Sequence, residues 1–180
     1  MNPSELNVLI SAEEIRQKNR ELAEAIRRTY RGEELVLVSV LKGSVVFLVD
    51  LMRELDLDVE IGFLYLSSYR GETSPQTQVQ HYLLPFPVIE DRHVLIVEDI
   101  LDTGASLVFA WNHCLLQKPR SLKTCVLLIK EGAVDLKIPA VDFPGFMIPR
   151  RFVIGYGLDF REKYRQLPYI AVLNETYGKE

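Results

Sequence analysis

Polar and apolar positions near the start of the chain alternate with the period of an α-helix. Ser11 and Glu14 have the spacing of a capping box, in which each side chain accepts a hydrogen bond from a backbone N–H at the start of a helix. The apolar residues that recur on one helical face are Ile15, Leu22, Ile26 and Tyr30. Gly32 is placed to end this segment, which we predict to be a scaffold helix.

Short apolar runs without a consistent polar face follow this helix. Such runs are typical of strands that are covered on both sides of a parallel sheet. The runs occupy residues 35–40, 59–66, 94–97, 124–129, 152–156 and 169–173. Lys42 and Gly43 form a turn after the first run and lead into a predicted helix over residues 44–55, and another helical pattern follows the third run. The alternation predicts an α/β fold with parallel strands.

Two stretches, residues 67–87 and 132–151, lack a regular pattern and are rich in Pro, Gly or polar residues. Irregular segments of this length inside a compact domain tend to be functional loops or lids. The chain contains no internal repeat, low-complexity tract or linker-like boundary, and its 180 residues suit one domain. We therefore predict a single domain over residues 1–180.

Charge narrows the range of partners. The net charge of -4 argues against a nonspecific nucleic-acid binder, which usually has a basic excess. The charge is uneven, because residues 1–117 carry 10 Lys and Arg against 18 Asp and Glu, whereas residues 118–180 carry 11 against 7. A cleft between these parts could suit an anionic ligand, although two differently solvated faces would produce the same pattern.

The cysteines and the absence of targeting patterns indicate the cellular compartment in which the chain is expected. Cys114 and Cys125 have neither CxxC spacing nor the number needed for a disulfide framework, which favours a reducing cytoplasm. The N-terminus lacks a basic segment followed by an apolar run, and no stretch of 18 apolar residues occurs. We therefore expect a cytoplasmic chain with no membrane or nucleic-acid partner.

Residues 94–107 carry the most informative chemistry. Four apolar residues predict a buried strand, Glu98 and Asp99 stand at its carboxyl end, and a short loop leads into a helix that begins near Ser106. In open α/β sheets, ligands bind at the carboxyl ends of the strands. The backbone N–H groups of residues 103–106, two hydroxyls and the positive end of the helix would together bind a phosphate.

The two acidic residues beside this phosphate site require an explanation, because the negative charges of Glu98 and Asp99 would repel a phosphate. This repulsion is offset if the two carboxylates bind sugar hydroxyls, a divalent cation or both. Carboxylate oxygens are suitable ligands for Mg2+. Asp102 lies in the same loop and is a candidate general acid or base. A strand that ends in two acids also occurs in P-loop nucleotidases, but the chain has neither a P-loop motif nor a GxGxxG motif. A turn without a ligand would explain Thr103 and Gly104 but not three acids within five residues.

These residues resemble the phosphoribosyl pyrophosphate binding motif of the type I phosphoribosyltransferases. Nearly the whole chain is similar to the hypoxanthine-guanine branch of that family. Besides residues 98–106, the segments that carry the resemblance are Leu41-Lys42-Gly43, Ser67-Ser68-Tyr69, Leu128-Ile129-Lys130 and residues 151–159 followed by Arg165. The resemblance implies a single-domain α/β fold with a central mostly parallel sheet flanked by helices, a small hood and a flexible lid loop. It also implies transfer of the phosphoribosyl group to hypoxanthine or guanine, giving IMP or GMP plus pyrophosphate.

The resemblance assigns the phosphoribosyl group to the loop after the acidic strand. Glu98 and Asp99 would bind the ribose and Mg2+. The residues that would bind the 5'-phosphate are Asp102, Thr103, Gly104, Ala105 and Ser106. Some relatives carry a basic residue at the position of Ala105, so phosphate binding in this chain depends on backbone donors. Displacement at the anomeric carbon would pass through an oxocarbenium-like state, with Asp102 removing the purine N7 proton.

The pyrophosphate is assigned to Lys42, the backbone of Gly43 and Arg165, with a cis peptide bond before the lysine. Asp159 would bind a second Mg2+ on the pyrophosphate side. An alternative for Asp159 is the N-cap of a helix over residues 160–165.

For the base, the resemblance implies a purine site made of Lys130, Phe152, Val153 and Asp159. Phe152 would stack on the purine, and the Val153 carbonyl would meet one edge of it. Lys130 would donate to the 6-oxo group and reject a 6-amino group, which presents donors instead. The implied substrates are therefore hypoxanthine and guanine rather than adenine.

A lid is implied over residues 67–81, where Ser68 and Tyr69 would help to exclude water during reaction. An ordinary flexible hairpin would have the same composition. Two other functions stay open, namely a phosphoribosyltransferase for xanthine or another base and a non-catalytic regulator that senses phosphoribosyl pyrophosphate. The resemblance also implies a homodimer or homotetramer, with a dimer contact near Lys42.

Overall fold

The computed structural model describes residues 6–68, 79–83, 86–133 and 139–173. In these residues the elements are β1 (Asn7–Ile10), α1 (Ala12–Thr29), β2 (Leu35–Leu41), α2 (Val45–Leu55), β3 (Val59–Ser68), β4 (Val79–Leu83), β5 (His93–Leu101), α3 (Ala105–Leu115), β6 (Ser121–Lys130), β7 (Phe143–Ile148), β8 (Val153–Ile154) and β9 (Ile170–Val172). No helix in this part of the chain is both long and apolar enough to cross a membrane.

The central sheet has the strand order β4-β3-β2-β5-β6-β7. Its pairs are parallel except that β4 runs antiparallel to β3, which confirms the predicted α/β fold with a mostly parallel sheet. Side chains alternate between the two faces of a strand. Leu35 and Leu37 of β2 therefore pack with α1 and α2, whereas Val36 and Val38 pack with α3. Burial on both faces explains why these strands have no polar side.

Helix α1 begins with the predicted capping box. The Ser11 N–H donates to Glu14 Oε2 at 2.8 Å, and the Glu14 N–H donates to Ser11 Oγ at 3.3 Å. The helix ends at Thr29, and Gly32 takes a φ of +80° in the turn that follows. Its apolar face packs against the sheet, so it is part of the scaffold as predicted.

A second, smaller sheet has the order β1-β9-β8 and is antiparallel, and we call it the hood. The prediction of parallel strands was wrong for the runs 152–156 and 169–173, because β8 and β9 belong to this sheet. β8 is also shorter than the apolar run, since Gly155 and Tyr156 take φ values of +98° and +49° and turn the chain away.

Both stretches predicted to be irregular contain a strand. β4 lies within residues 67–87, and β7 lies within residues 132–151. The sequence did not predict β7, because it contains Pro144 and Gly145. β7 is an edge strand, where the missing backbone N–H of Pro144 is tolerated. Gly145 is also required by packing, because a Cβ at this position would be 2.2 Å from the Leu127 carbonyl oxygen of β6.

Candidate active site

Parallel strand ends bring the predicted site residues to one edge of the central sheet. β2, β5 and β6 lie side by side and end at Leu41, Leu101 and Lys130. Two groups of residues follow from this arrangement. We call the first the β5–α3 cluster, which comprises Glu98, residues 102–106 and Lys130. We call the second the hood-side cluster, which comprises Lys42, Gly43, Asp99, Asp159, Glu162 and Arg165.

The loop between β5 and α3 presents backbone donors. Gly104 is the N-cap of α3 and has a φ of +80°, a region that favours glycine. The Ala105 N–H makes a long hydrogen bond of 3.4 Å to Thr103 Oγ1. The first N–H groups of a helix have no acceptor within the helix, and the first turn of α3 has no acidic side chain. The loop can therefore bind an anion although Ala105 has no charge.

Glu98 is buried beside this loop. Its Oε1 accepts a hydrogen bond from Ser106 Oγ at 2.6 Å, whereas its Oε2 is buried with no hydrogen-bond partner among the described residues. Burial and then the charge of Asp99 raise the pKa of Glu98 well above its usual value. A buried polar atom without a partner requires an explanation, and a ligand hydroxyl or cation at Oε2 would supply one.

Asp99 faces the turn after β2. A Cβ on Gly43 would be 1.9 Å from Asp99 Oδ2, so the approach of this carboxyl group requires glycine at position 43. Burial raises the pKa of Asp99 to about 6, opposed by backbone N–H groups and the charge of Arg165, while the charge of Asp159 raises it further. Asp99 is therefore a buried acid whose pKa responds to the charges of both Arg165 and Asp159.

Asp102 and Lys130 form an ion pair across the ends of β5 and β6. Lys130 Nζ lies 2.6 Å from Asp102 Oδ2. The lysine side chain is 11% exposed and the aspartate side chain 54%. The sequence singled out both residues but not their contact. The pair places a proton acceptor and a cationic donor next to the loop that can bind an anion.

The turn that contains Lys42 and Gly43 packs directly on the chain between β8 and β9. The Leu41–Lys42 peptide bond is cis, as the resemblance implied. Gly157 has a φ of +98°, and a Cβ on it would be 2.0 Å from the Gly43 carbonyl oxygen. The Gly157 carbonyl also accepts a hydrogen bond of 2.7 Å from Arg165 Nη1. These contacts bring Lys42 and Arg165, two residues predicted to bind pyrophosphate, into one cluster.

Carboxylates pair with both of these cations. Lys42 Nζ lies 3.0 Å from Glu162 Oε2, and Arg165 Nη2 lies 2.8 Å from Asp159 Oδ1. Arg165 Nη2 is also 3.4 Å from each Glu162 oxygen. Hydrogen bonds and charge from Lys42 and Arg165 hold the pKa of Glu162 below its usual value.

Asp159 is not a helix cap. Residues 160–165 form turns rather than a helix, so the helical alternative was wrong. Asp159 Oδ2 accepts a hydrogen bond of 2.9 Å from the Glu162 N–H and thereby stabilises the turn, while Oδ1 pairs with Arg165.

The three acids predicted to bind metal do not form one cluster. Glu98 and Asp99 are neighbours in β5 and point to opposite faces, and the charge of Asp159 raises the pKa of Asp99. Across the described ranges, no three His, Cys, Asp or Glu side chains converge on one point. Mg2+ is commonly held by one or two carboxylates together with substrate phosphates, so Asp99 and Asp159 fit such a site without a third ligand.

Of the residues predicted for the purine, Phe152 and Val153 lie at the start of the hood strand β8, whereas Lys130 ends β6 in the central sheet. Phe152 immediately precedes β8, is 51% exposed and meets Phe160 edge-to-face with ring centroids 5.9 Å apart. Val153 is buried in β8 opposite Val172. Phe152 therefore has free ring surface on which a planar ligand could stack.

The predicted lid is described only at its ends. Ser68 is the last residue of β3 and pairs through its backbone with Val79 of β4. These ends form an antiparallel hairpin. Tyr69 and residues 70–78 lie outside the described residues.

Sequence reasoning missed two contributors to the site. Glu162 lies in a run of mixed charge, Arg161 to Arg165, which looks like a solvated surface. Tyr156 accepts a hydrogen bond from Asn19 and donates one to Asp50, each at 2.8 Å, and so ties the hood to α1 and α2. A tyrosine between two glycines could have suggested a tight turn, but nothing in the pattern identified its partners.

Comparison with known proteins places this geometry in a family. The sequence matches the family described as "Phosphoribosyl transferase domain" over residues 10–161. It is 39% identical over 173 residues to a hypoxanthine-guanine phosphoribosyltransferase of Lactococcus lactis, covering 96% of this chain and 93% of that one. A hypoxanthine-guanine-xanthine phosphoribosyltransferase of Tritrichomonas foetus is 39% identical over 170 residues, covering 94% of this chain and 92% of the relative.

A solved structure agrees in fold as well as in sequence. A hypoxanthine-guanine phosphoribosyltransferase of Bacillus anthracis superimposes with a TM-score of 0.85 at 42% identity, over 94% of this chain and 100% of that chain. The family match includes the whole β5–α3 cluster and most of the strands that position it. The chain is therefore a member of the phosphoribosyltransferase family.

Proposed function

We propose that this chain transfers the 5-phosphoribosyl group of phosphoribosyl pyrophosphate to hypoxanthine or guanine, forming IMP or GMP and releasing pyrophosphate. The observation that carries the proposal is the contact of 2.6 Å between Lys130 and Asp102 beside the β5–α3 loop. A 6-oxopurine needs a donor for its oxygen and an acceptor for a ring proton, and this pair offers both. The names of the relatives support the same substrates.

Recognition of the base depends on Lys130. Its ammonium group has only donors, so it can bind the 6-oxo group of hypoxanthine or guanine but not the 6-amino group of adenine. Phe152 stacks on the purine face through its exposed ring surface, and the Val153 carbonyl accepts from the edge of the base. Low solvent exposure of Lys130 strengthens the contact, because water competes less for it.

Proton transfer requires that the contact between Asp102 and Lys130 is broken. When Lys130 turns to the purine oxygen, the Asp102 carboxylate becomes available to accept the N7 proton. Purine N9 bonds to the anomeric carbon as the bond from that carbon to the pyrophosphate oxygen breaks, and the leaving oxygen keeps the electron pair. Proton transfer to Asp102 removes the positive charge that would otherwise develop on the purine.

The other predicted site residues bind phosphoribosyl pyrophosphate, which donates the phosphoribosyl group. Backbone N–H groups of residues 103–106 bind the 5'-phosphate, Glu98 and Asp99 orient the ribose hydroxyls, and Lys42 and Arg165 bind the pyrophosphate. The buried Asp99, whose pKa responds to the charge of Asp159, fits a divalent cation that is bound together with the substrate, and the partnerless Glu98 Oε2 on the other face of β5 fits a ribose hydroxyl. Mg2+ in this site would add positive charge beside the pyrophosphate oxygens.

A panel of bases tests the proposal. Hypoxanthine, guanine, xanthine, adenine and uracil are incubated separately with the protein, phosphoribosyl pyrophosphate and Mg2+, and the nucleotides are separated by chromatography. We expect IMP and GMP, and no AMP or UMP. XMP as the main product would make xanthine the substrate, as the name of the Tritrichomonas foetus relative suggests. Binding of phosphoribosyl pyrophosphate in calorimetry without any nucleotide would instead favour the non-catalytic regulator.

Quaternary structure and compartment stay predictions. We expect a homodimer or homotetramer in light scattering and a cytoplasmic location in cell fractionation.

A further inference from the structure

The hood-side cluster contains a carboxylate that none of the assigned roles uses. Glu162 lies 3.0 Å from Lys42 and 3.4 Å from Arg165, the two cations that the proposed function assigns to pyrophosphate. These cations come from positions 123 residues apart in the chain, and they meet at one side chain. In the free protein, a carboxylate therefore already pairs with the two cations that the proposed function assigns to the leaving group.

The backbone conformation of a turn positions Glu162 beside Lys42 and Arg165. Arg161 and Glu162 have φ values of +53° and +62°, a region that residues other than glycine rarely adopt. The turn is kept by the bond from the Glu162 N–H to Asp159 and by the bridge between Phe160 and Lys163. Such conformations persist where surrounding contacts determine them.

The two cations depend on Glu162 to different degrees. Arg165 is also held by Asp159 at 2.8 Å and by the Gly157 carbonyl at 2.7 Å, so its orientation does not require Glu162. Lys42 makes no other ion pair among the described residues. Removal of the Glu162 charge would therefore release Lys42 while leaving Arg165 in position.

We propose that Glu162 is an internal competitor of pyrophosphate, which neutralises Lys42 and Arg165 in the free protein and must leave them when the pyrophosphate group binds. The inference rests on the proposed function. Competition of this kind weakens binding of phosphoribosyl pyrophosphate and of pyrophosphate, and it favours release of the product. Glu162 is thus an affinity-determining residue of the site rather than a group that contacts the reacting atoms.

The variant Glu162→Gln tests the proposal, because it keeps the size of the side chain and removes its charge. Calorimetry with pyrophosphate, and separately with phosphoribosyl pyrophosphate, is carried out at fixed Mg2+. We expect roughly threefold to tenfold tighter binding, the size of one charge at a few ångströms in an exposed site. The gain should shrink at high salt, because ions screen exposed charges. Unchanged or weaker binding would overturn the proposal, and weaker binding would mean that Glu162 orients Lys42 for the ligand.

Three controls isolate the effect. Glu24→Gln removes the same charge from an exposed pair with Arg28 on α1, and we expect no change in affinity. Binding of IMP, which has no pyrophosphate, should be the same in wild type and Glu162→Gln. In a Lys42→Met background, Glu162→Gln should lose most of its gain, whereas a full gain would show that the competition does not act through Lys42.

The outcomes separate this inference from the proposed function. A wild-type protein that binds neither pyrophosphate nor phosphoribosyl pyrophosphate would contradict the proposed function itself. A wild-type protein that binds both, with a Glu162→Gln variant that binds no more tightly, would contradict only the competition. Glu162→Asn is a second variant, because asparagine adopts positive φ readily and preserves the turn.

Discussion

The two clusters at the sheet edge differ in whether their charged side chains are buried and whether they are paired. In the β5–α3 cluster the acid Glu98 is buried beside Asp99 with a partnerless oxygen, and no cation neutralises it among the described residues. In the hood-side cluster, Lys42 and Glu162 are 51% and 66% exposed and are paired. The first region holds a buried carboxyl group whose pKa is raised because no cation neutralises its charge, whereas the second region neutralises its cations with Glu162 until a ligand arrives.

The difference has consequences for stability and for binding. Burial of a charge destabilises the folded chain, so changes at Glu98 and Asp99 should alter folding as well as function. An exposed ion pair contributes little to folding. Changes in the exposed pair should therefore alter ligand affinity almost alone.

The largest effect is expected from Asp102→Asn. Loss of the proton acceptor should lower kcat for IMP formation by roughly a hundredfold to ten-thousandfold, while the amide can still contact Lys130. Steady-state kinetics at saturating substrates measures this change. Glu131→Gln, an exposed acid close to Lys130 in the chain, is the control and should stay active. An unchanged forward rate of Asp102→Asn would exclude the role of general base.

Asp99→Asn should stabilise the protein at neutral pH. The pKa of Asp99 rises from 3.8 to about 6 on folding, so its contribution to the free energy of unfolding is fully present below pH 3.8 and is lost as the pH rises through 6. The shift corresponds to about 3 kcal/mol above pH 6. In urea unfolding at pH 4.5 and pH 8, the stability of the variant should exceed that of wild type by clearly more at pH 8 than at pH 4.5.

The exposed Asp58→Asn provides the comparison for this measurement, because a substitution at an exposed position should change the free energy of unfolding little. Equal stability of Asp99→Asn and wild type at pH 8 would show that the buried carboxylate is better solvated than its burial indicates.

Gly43→Ala should be destabilising by roughly 1–3 kcal/mol, because the new Cβ would overlap Asp99 Oδ2. It should also weaken binding of phosphoribosyl pyrophosphate, since Asp99 has to move. Gly32→Ala is the matched control, because no atom lies within 4 Å of its added Cβ and only the positive φ opposes it. Denaturant unfolding and calorimetry compare the two variants. Full ligand affinity in Gly43→Ala would mean that the position of Asp99 is not critical.

The same contrast explains what could be predicted from the sequence. Glu98, Asp102 and Ser106 lie within nine residues and follow an apolar run, so local pattern and strand geometry were enough to place them at one site, whereas the contact of Asp99 with Gly43 was not predicted. The capping box of α1 was equally local. In these regions the sequence order and the spatial order coincide.

Contacts between distant segments could not be predicted in this way. The pair of Lys42 and Glu162 depends on how the hood packs on the turn after β2, which no local pattern encodes. β7 was missed for a related reason, because Pro144 is tolerated in an edge strand and Gly145 is required by the approach of Leu127 of β6, which are both contacts between distant segments. Assignment of Lys42, Phe152 and Arg165 to ligands came from the family resemblance rather than from periodicity.

The smallest effect is expected on the stability of Glu162→Gln. The Glu162 side chain is largely in water, so the attraction to Lys42 is offset by hydration and by the freedom that both side chains lose. The thermal midpoint should stay within about 1 °C of wild type, although pyrophosphate affinity changes. Scanning calorimetry of the free protein measures this, with Glu24→Gln as the exposed-pair control. A fall of several degrees would mean that Glu162 maintains the turn over residues 159–165, and the contrast between a buried functional charge and an exposed one would then fail.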